Sequence, residues 1–170
     1  VTPVEACLAT FAATTVITTE IPLDVARNTV RGEESNAGNL ITDGYVYTYD
    51  QVAAENGLPP RIIAGTLNSG DDPVHVIALT NGGGIRQNSG DTLEVGPISR
   101  LDTLNVLPFD NYLTVVTEVT PTELQGILER SASGLPGAAG QFLQQSGIDI
   151  IYTVNRPVED RVKSATLADG

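Results

Sequence analysis

The spacing of apolar and polar residues predicts two helices in the first third of the chain. Apolar residues recur at helical spacing in residues 4–14 and again in residues 35–55. The second helix has a capping residue at its start, either Ser35 or Asn36, whose side-chain oxygen can accept a hydrogen bond from a free N–H group of the first turn. Both segments are therefore expected to pack one apolar face against the rest of the fold.

A further helix start is predicted at residues 120–123, which read Thr-Pro-Thr-Glu. This order supplies a threonine cap, a proline in the first turn and a glutamate that completes a capping box. Leu124, Ile127 and Leu128 follow at helical spacing and give this helix an apolar stripe. A shorter helix is predicted over residues 96–104.

Runs rich in β-branched residues predict strands where helical spacing is absent. The predicted strands cover residues 15–21, 74–79, 104–109, 113–119, 148–154 and 162–167. Helices and strands do not alternate as regular strand–helix–strand units. This order predicts an α+β fold with a mixed β-sheet and packed helices.

Composition excludes several classes of partner. The chain has 170 residues with 9 basic and 21 acidic side chains, a net charge of −12. Such a charge disfavours nucleic acid and anionic membrane as partners, and no apolar run approaches the ~20 residues of a membrane span. The only lysine is Lys163, and an acidic, lysine-poor surface suits an extracellular setting.

Metal and thiol chemistry are also disfavoured by composition. His75 is the only histidine and Cys7 the only cysteine, so the usual ligands of a zinc or two-metal site are scarce and no disulfide can form within the chain. Cys7 is expected to be a small buried apolar residue.

Residues 79–86, Leu-Thr-Asn-Gly-Gly-Gly-Ile-Arg, carry the strongest chemical signal of the chain. An apolar strand ends there in three glycines, whose backbone can turn tightly and approach a ligand closely. Successive N–H groups in such a loop can form a donor nest for an anion, and Arg86 adds a planar charged group suited to phosphate or carboxylate. The alternative is a plain turn between two strands.

Four segments in this order resemble the C-terminal domain of the 5'-nucleotidase family. Arg27 and Arg31 precede residues 33–43, Glu-Glu-Ser-Asn-Ala-Gly-Asn-Leu-Ile-Thr-Asp. The glycine loop follows, then residues 107–111, Leu-Pro-Phe-Asp-Asn, and residues 141–147, Gln-Phe-Leu-Gln-Gln-Ser-Gly. The resemblance extends from about residue 22 to the end of the chain.

The resemblance implies a nucleotide-binding, substrate-specificity domain of a 5'-nucleotidase-like phosphomonoester hydrolase. In the family the arginines hold the phosphate and ribose side, the phenylalanine is one wall of a sandwich around the base, and the asparagines lie against the base. The substrate-binding residues implied here are Arg27, Arg31, Asn81, Gly83, Gly84, Arg86, Phe109 and Asn111. The resemblance implies no catalytic or metal-binding residue in this chain.

The resemblance also implies a division of labour between domains. Residues 1–21 correspond to an interdomain linker helix and first strand, and residues 22–170 to the substrate-binding domain. That domain is expected to be incomplete at its C-terminus, because the family carries a second stacking phenylalanine and a Gly-Gly-Asp-Gly segment further on. Hydrolysis in the family belongs to an N-terminal metallophosphoesterase domain with two divalent metal ions.

This chain alone is therefore expected to bind no cofactor and to be inactive. Its expected partners are a nucleotide or nucleoside substrate and that N-terminal domain, in an extracellular, periplasmic or cell-surface protein. The alternative function is a non-catalytic nucleotide-binding module, and a third possibility is an inert piece with an incomplete site. A serine hydrolase is disfavoured, because the lone His75 lies in an apolar run and no Gly-x-Ser-x-Gly motif occurs.

Overall fold

The computed structural model describes residues 2–62, 73–86 and 90–168 and has both helices and short strands. The helices are α1 (Pro3–Ala13), α2 (Asn36–Val52), α3 (Arg100–Val106) and α4 (Pro121–Ala132). The strands are β1 (Thr15–Thr19), β2 (Leu23–Asp24), β3 (Ala78–Asn81), β4 (Thr92–Leu93), β5 (Gly96–Ser99), β6 (Leu143–Ser146), β7 (Ile148–Tyr152) and β8 (Val162–Leu167). The predicted α+β class is confirmed.

The strands pair into small antiparallel sheets in the described part of the chain. β1 pairs with β5, β2 with β4, β3 with β6, and β7 with β8. An isolated parallel bridge joins Arg61 to Val74. The apolar strand expected over residues 74–79 is β3, which begins at Ala78 and runs directly into the glycine loop.

Two of the predicted helices, α2 and α4, begin directly after the capping residues that the sequence indicates. The Ser35 hydroxyl accepts a hydrogen bond from the Gly38 N–H at 2.9 Å and so caps α2. At α4, the Thr120 N–H donates to the Glu123 carboxylate at 2.9 Å and the capping box is complete. The Thr120 hydroxyl also donates to this carboxylate, at 2.7 Å. The hydroxyl bond first and the N–H bond second stabilise the charged carboxylate and lower the pKa of Glu123.

The helix predicted over residues 96–104 is wrong in its first half. Residues 96–99 form β5, which pairs with β1, and α3 begins only at Arg100. Ser99 sets this start, because its hydroxyl accepts from the Asp102 N–H at 3.2 Å and caps the helix. The helix then continues to Val106, so the strand predicted over residues 104–109 is also wrong.

The strand predicted over residues 113–119 is absent. This segment has no regular secondary structure and is exposed, with Val116 72% accessible. Its β-branched residues favour extended backbone, but a strand also needs a neighbour to share hydrogen bonds. Among the described strands, none pairs with this segment.

The first helix lies on the surface and buries none of its residues. It contacts α3, where the Arg100 guanidinium lies 4.7 Å from the centre of the Phe11 ring. Cys7 is exposed on this helix, so the prediction of a buried cysteine is wrong. No helix within the described ranges is long and apolar enough to cross a membrane.

The largest hydrophobic cluster packs against two segments, the one that carries Arg31 and the glycine loop before Arg86. Its buried members come from β2, residues 25–30, α2, β5, α3 and the residue after the glycine loop: Leu23, Val25, Val30, Ala37, Ile85, Ile98 and Val106. Because Val30 and Ile85 share this cluster, the backbone next to Arg31 and the backbone next to Arg86 are held side by side. A second cluster packs α4 against β7 and β8.

Candidate anion-binding site

The first part of the site is a tight turn over residues 26–33. The Val30 N–H donates to the Ala26 carbonyl at 3.0 Å, and the Glu33 N–H donates to the Thr29 carbonyl at 2.8 Å. Val30 is completely buried in the core cluster. The backbone that carries the arginines is therefore fixed by hydrogen bonds within the turn and by the burial of Val30 in the core.

Arg31 is the most constrained cation of this turn. It is only 8% exposed, and in the described part of the chain its Nε has no hydrogen-bond partner. Burial lowers the pKa of the guanidinium, and the positive charges of Arg27 and Arg86 lower it further. Arginine still remains charged at neutral pH, so the turn holds a buried positive charge beside two others.

The second part of the site is the glycine loop, where residues 82–84 form one turn of 3-10 helix directly after β3. The Gly82 N–H donates to the Phe142 carbonyl at 2.7 Å, and the Gly83 N–H donates to the Gly140 carbonyl at 2.9 Å. These two groups are used within the protein, so the expectation that they form a donor nest for an anion is wrong. The positive charge of this site comes from arginine side chains instead.

Gly82 makes the closest contact between the glycine loop and the arginine turn. A Cβ atom there would overlap the carbonyl oxygen of Val30. At Gly83 a Cβ would lie 2.9 Å from the Gly140 oxygen, whereas at Gly84 it would meet only the Asn81 side chain, at 3.4 Å. Gly83 and Gly84 were predicted as site residues and Gly82 was not, because three consecutive glycines in a sequence do not show which one faces another backbone.

Arg86 leaves the glycine loop and points at Phe109. Its N–H donates to the Val106 carbonyl at 2.8 Å, which fixes the loop to the end of α3. Its guanidinium lies 5.6 Å from the centre of the Phe109 ring, within the range of a cation–π interaction. Phe109 is 51% exposed, so much of the ring surface remains open to solvent.

One predicted asparagine lies directly before the glycine loop and the other lies in the turn after Phe109. The Asn81 side-chain amide donates to the Gly140 carbonyl at 3.2 Å and so lies beside Gly83. The Asn111 N–H donates to the Phe109 carbonyl at 3.0 Å in a tight turn, and both asparagines are exposed. The structure thus brings the predicted residues of the arginine turn, the glycine loop and residues 109–111 to neighbouring positions.

Other features of the chain do not coincide with this site. A cavity of about 690 Å³ lies between residues 116–119 and α4, and Val116, Ile127 and Arg130 are among its lining residues. None of the eight predicted site residues lines it. Across the described ranges, no group of three or more histidine, cysteine, aspartate or glutamate side chains is placed to hold a metal ion.

Comparison with known proteins agrees with the sequence motifs. The family model described as "5'-nucleotidase, C-terminal domain" matches residues 11–170. The chain belongs to this family, as the resemblance of its four segments predicted.

Two curated relatives have similar levels of identity. The trifunctional nucleotide phosphoesterase protein YfkN of Bacillus subtilis is 32% identical over 144 residues, which is 85% of this chain and 8% of that protein. The 5'-nucleotidase of Mus musculus is 31% identical over 147 residues, which is 85% of this chain and 22% of the relative. The chain thus spans less than a quarter of the length of either relative.

A solved structure shares the fold. The 5'-nucleotidase precursor from Thermus thermophilus superposes with a TM-score of 0.73 at 31% sequence identity. The superposition covers 95% of this chain and 27% of that one. The described helices and small sheets are therefore the fold of a 5'-nucleotidase C-terminal domain.

Proposed function

We propose that this chain binds a nucleoside monophosphate as the substrate-specificity domain of a 5'-nucleotidase-like phosphohydrolase. The observation that carries this proposal is the cluster of Arg27, Arg31 and Arg86 in a chain of net charge −12. Among the described residues the buried Nε of Arg31 has no hydrogen-bond partner, which is unfavourable, and an anion bound to the guanidinium offsets that cost. A phosphate is the anion best matched to several arginines, because each planar guanidinium can donate two parallel hydrogen bonds to its oxygens.

The remainder of the nucleotide is proposed to lie along Phe109. The half-exposed ring is next to Arg86, so a ligand whose phosphate reaches the arginines can place its base on the ring. Stacking of a base on an aromatic side chain is favourable for every base. The amide side chains of Asn81, next to the glycine loop, and Asn111, two residues after Phe109, are proposed to contact the base.

We propose that hydrolysis needs a metallophosphoesterase domain outside these 170 residues, with its own two divalent metal ions. His75 and Cys7 are the only residues of their types here, whereas two-metal phosphoesterase chemistry requires a dense ligand set. We therefore expect the purified chain to release no phosphate from AMP in the presence of Zn²⁺, Mn²⁺, Co²⁺ or Mg²⁺. Phosphate release that follows this polypeptide through purification, after chelation and metal re-addition, would contradict the proposal.

An extracellular, periplasmic or cell-surface location is also proposed. It is supported by the excess of 21 acidic over 9 basic side chains and by the single lysine. Fusion of the complete gene product to a compartment-specific reporter tests this proposal directly.

The first test of the anion site is Arg86. We expect Arg86→Ala to weaken AMP binding to the chain, because a lost charge-assisted hydrogen bond costs about 1.5–3 kcal/mol. Arg86→Lys should restore only part of the affinity, since a point charge does not reproduce the two parallel donors of a guanidinium. Calorimetric titration measures both. Unchanged affinity together with a large drop in melting temperature would assign Arg86 a structural role instead.

The second test concerns base stacking at Phe109. We expect Phe109→Ala to weaken adenosine binding by an amount near the lower end of the stacking range of about 1–3 kcal/mol. One face of a half-exposed ring is involved, so the loss is modest, and Phe109→Tyr should lose little. NMR titration with adenosine compares the three proteins, and equal affinities of Phe109→Ala and the unmodified chain would remove Phe109 from the site.

A further inference from the structure

Gln144 connects β6 to the backbone that carries Arg31. It lies in β6 opposite Thr80 of β3, and its side chain is completely buried. Its Nε2 donates to the carbonyl oxygens of Val30, at 3.1 Å, and Glu33, at 2.7 Å. These two carbonyls flank Arg31 in the chain, so a single amide group holds the arginine turn on both sides.

The other half of the same amide is also used. Its Oε1 accepts a hydrogen bond from the Ser35 N–H at 2.9 Å, and Ser35 is the residue that caps α2. Gly38, in the first turn of α2, leaves room for this group, because a Cβ atom there would overlap the Gln144 amide. The amide is therefore fixed against the turn and the start of a helix together.

A second long-range bond fixes the backbone of Arg31 itself. Its carbonyl oxygen accepts from the Ala139 N–H at 2.9 Å, a few residues before β6. Burial lowers the pKa of the Arg31 guanidinium most, and the charges of Arg27 and Arg86, which repel it, lower the pKa further. The backbone bonds from residues 139 and 144 oppose the displacement that this repulsion favours.

We propose that Gln144 is a positioning residue for anion binding, which holds Arg31 within the arginine cluster without touching the ligand. This inference rests on the proposed function, because it requires that Arg31 binds the phosphate. A purely structural role of Gln144 would weaken the binding of every ligand alike. A positioning role weakens only ligands that carry a phosphate, and only while Arg31 is present.

The test is a double-mutant cycle with two ligands. Gln144→Met, Arg31→Met and the double variant of the 170-residue chain are titrated with AMP and with adenosine, after circular dichroism has shown that each is folded. We expect Gln144→Met to weaken AMP binding by about tenfold and adenosine binding by less than about twofold. In the Arg31→Met background, the same substitution should weaken AMP binding by less than about twofold further.

Two further variants complete the design. Glu129→Gln changes another buried polar group, in α4, whose carboxylate accepts hydrogen bonds from the N–H groups of Arg161 and Val162. This variant should leave the AMP affinity unchanged. Gly38→Ala displaces the Gln144 amide from the side of α2 and should reproduce the selective loss of AMP binding if Gln144→Met does not fold.

Equal losses for AMP and adenosine, or an undiminished effect of Gln144→Met in the Arg31→Met background, would overturn the positioning role. So would normal AMP binding by Gln144→Met when Arg31→Met binds AMP weakly, and the proposed function would then stand. If Arg31→Met itself binds AMP normally, the proposed function fails and the positioning role fails with it.

Discussion

Replacing Arg31 with methionine is expected to weaken AMP binding by about 10- to 150-fold, the equivalent of about 1.5–3 kcal/mol for a charge-assisted hydrogen bond. Methionine keeps an apolar stem of similar length, so the packing around residue 31 is largely retained. The free energy of unfolding should stay the same or increase, because the folded state no longer holds a buried positive charge near Arg27 and Arg86. Calorimetric titration and thermal unfolding measure the two effects.

The matched control is Arg100→Met, which removes the same charge from a guanidinium that lies over Phe11 on α1, outside the arginine cluster. It should leave AMP binding within about twofold of the unmodified chain, because long-range screened charge contributes little at physiological ionic strength. A loss of affinity as large as that of Arg31→Met would show that net charge, rather than a specific contact, governs binding. A fall in stability for Arg31→Met would show that its guanidinium is structural.

Gly82→Ala is expected to damage both stability and binding. Its Cβ would overlap the Val30 carbonyl oxygen, and backbone on both sides would have to move apart. Overpacking of this kind costs about 1–3 kcal/mol or more. Because the displaced backbone lies between the arginine turn and the glycine loop, Arg31 and Arg86 should separate and AMP affinity should fall as well.

Gly84→Ala is the control within the same loop. Its Cβ would meet only the Asn81 side chain at an ordinary contact distance of 3.4 Å, so the free energy of unfolding should change little. Urea unfolding and AMP titration of the two variants provide the comparison. Similar stabilities for Gly82→Ala and Gly84→Ala would mean that the close approach of the two loops is not required.

Features that depend on neighbouring residues could be predicted from the sequence. The start of α4 follows from a threonine, a proline and a glutamate within four positions, and in the structure Thr120 and Glu123 bond to each other with the proline in the first turn. The glycine loop was predicted for the same reason, whereas the strand before it was predicted from residue 74 and begins only at Ala78. The strand predicted over residues 113–119 failed because its formation depends on a partner strand rather than on its own composition.

Contacts between distant segments could not be predicted from the periodicity of apolar residues or from the spacing of motifs. The gathering of Arg27, Arg31 and Arg86 was implied only by the family resemblance, since nothing local relates position 31 to position 86. Gln144 lies in residues 141–147, one of the four segments that resemble the family, but no function was predicted for it. No strand was predicted over β6, and the bonds of Gln144 to residues 30, 33 and 35 join positions more than a hundred residues apart.

The amide contacts of Gln144 also constrain the order in which parts of the chain can fold. Val30 and Gln144 are 114 positions apart, so a chain emerging from the ribosome has its arginines long before it has the group that fixes them. Closing such a long loop costs conformational entropy. The contacts that offset this cost form only when the later strands are in place. We therefore expect an anionic ligand of the proposed site to bind only the nearly complete fold, and to stabilise the native state relative to partly folded ones.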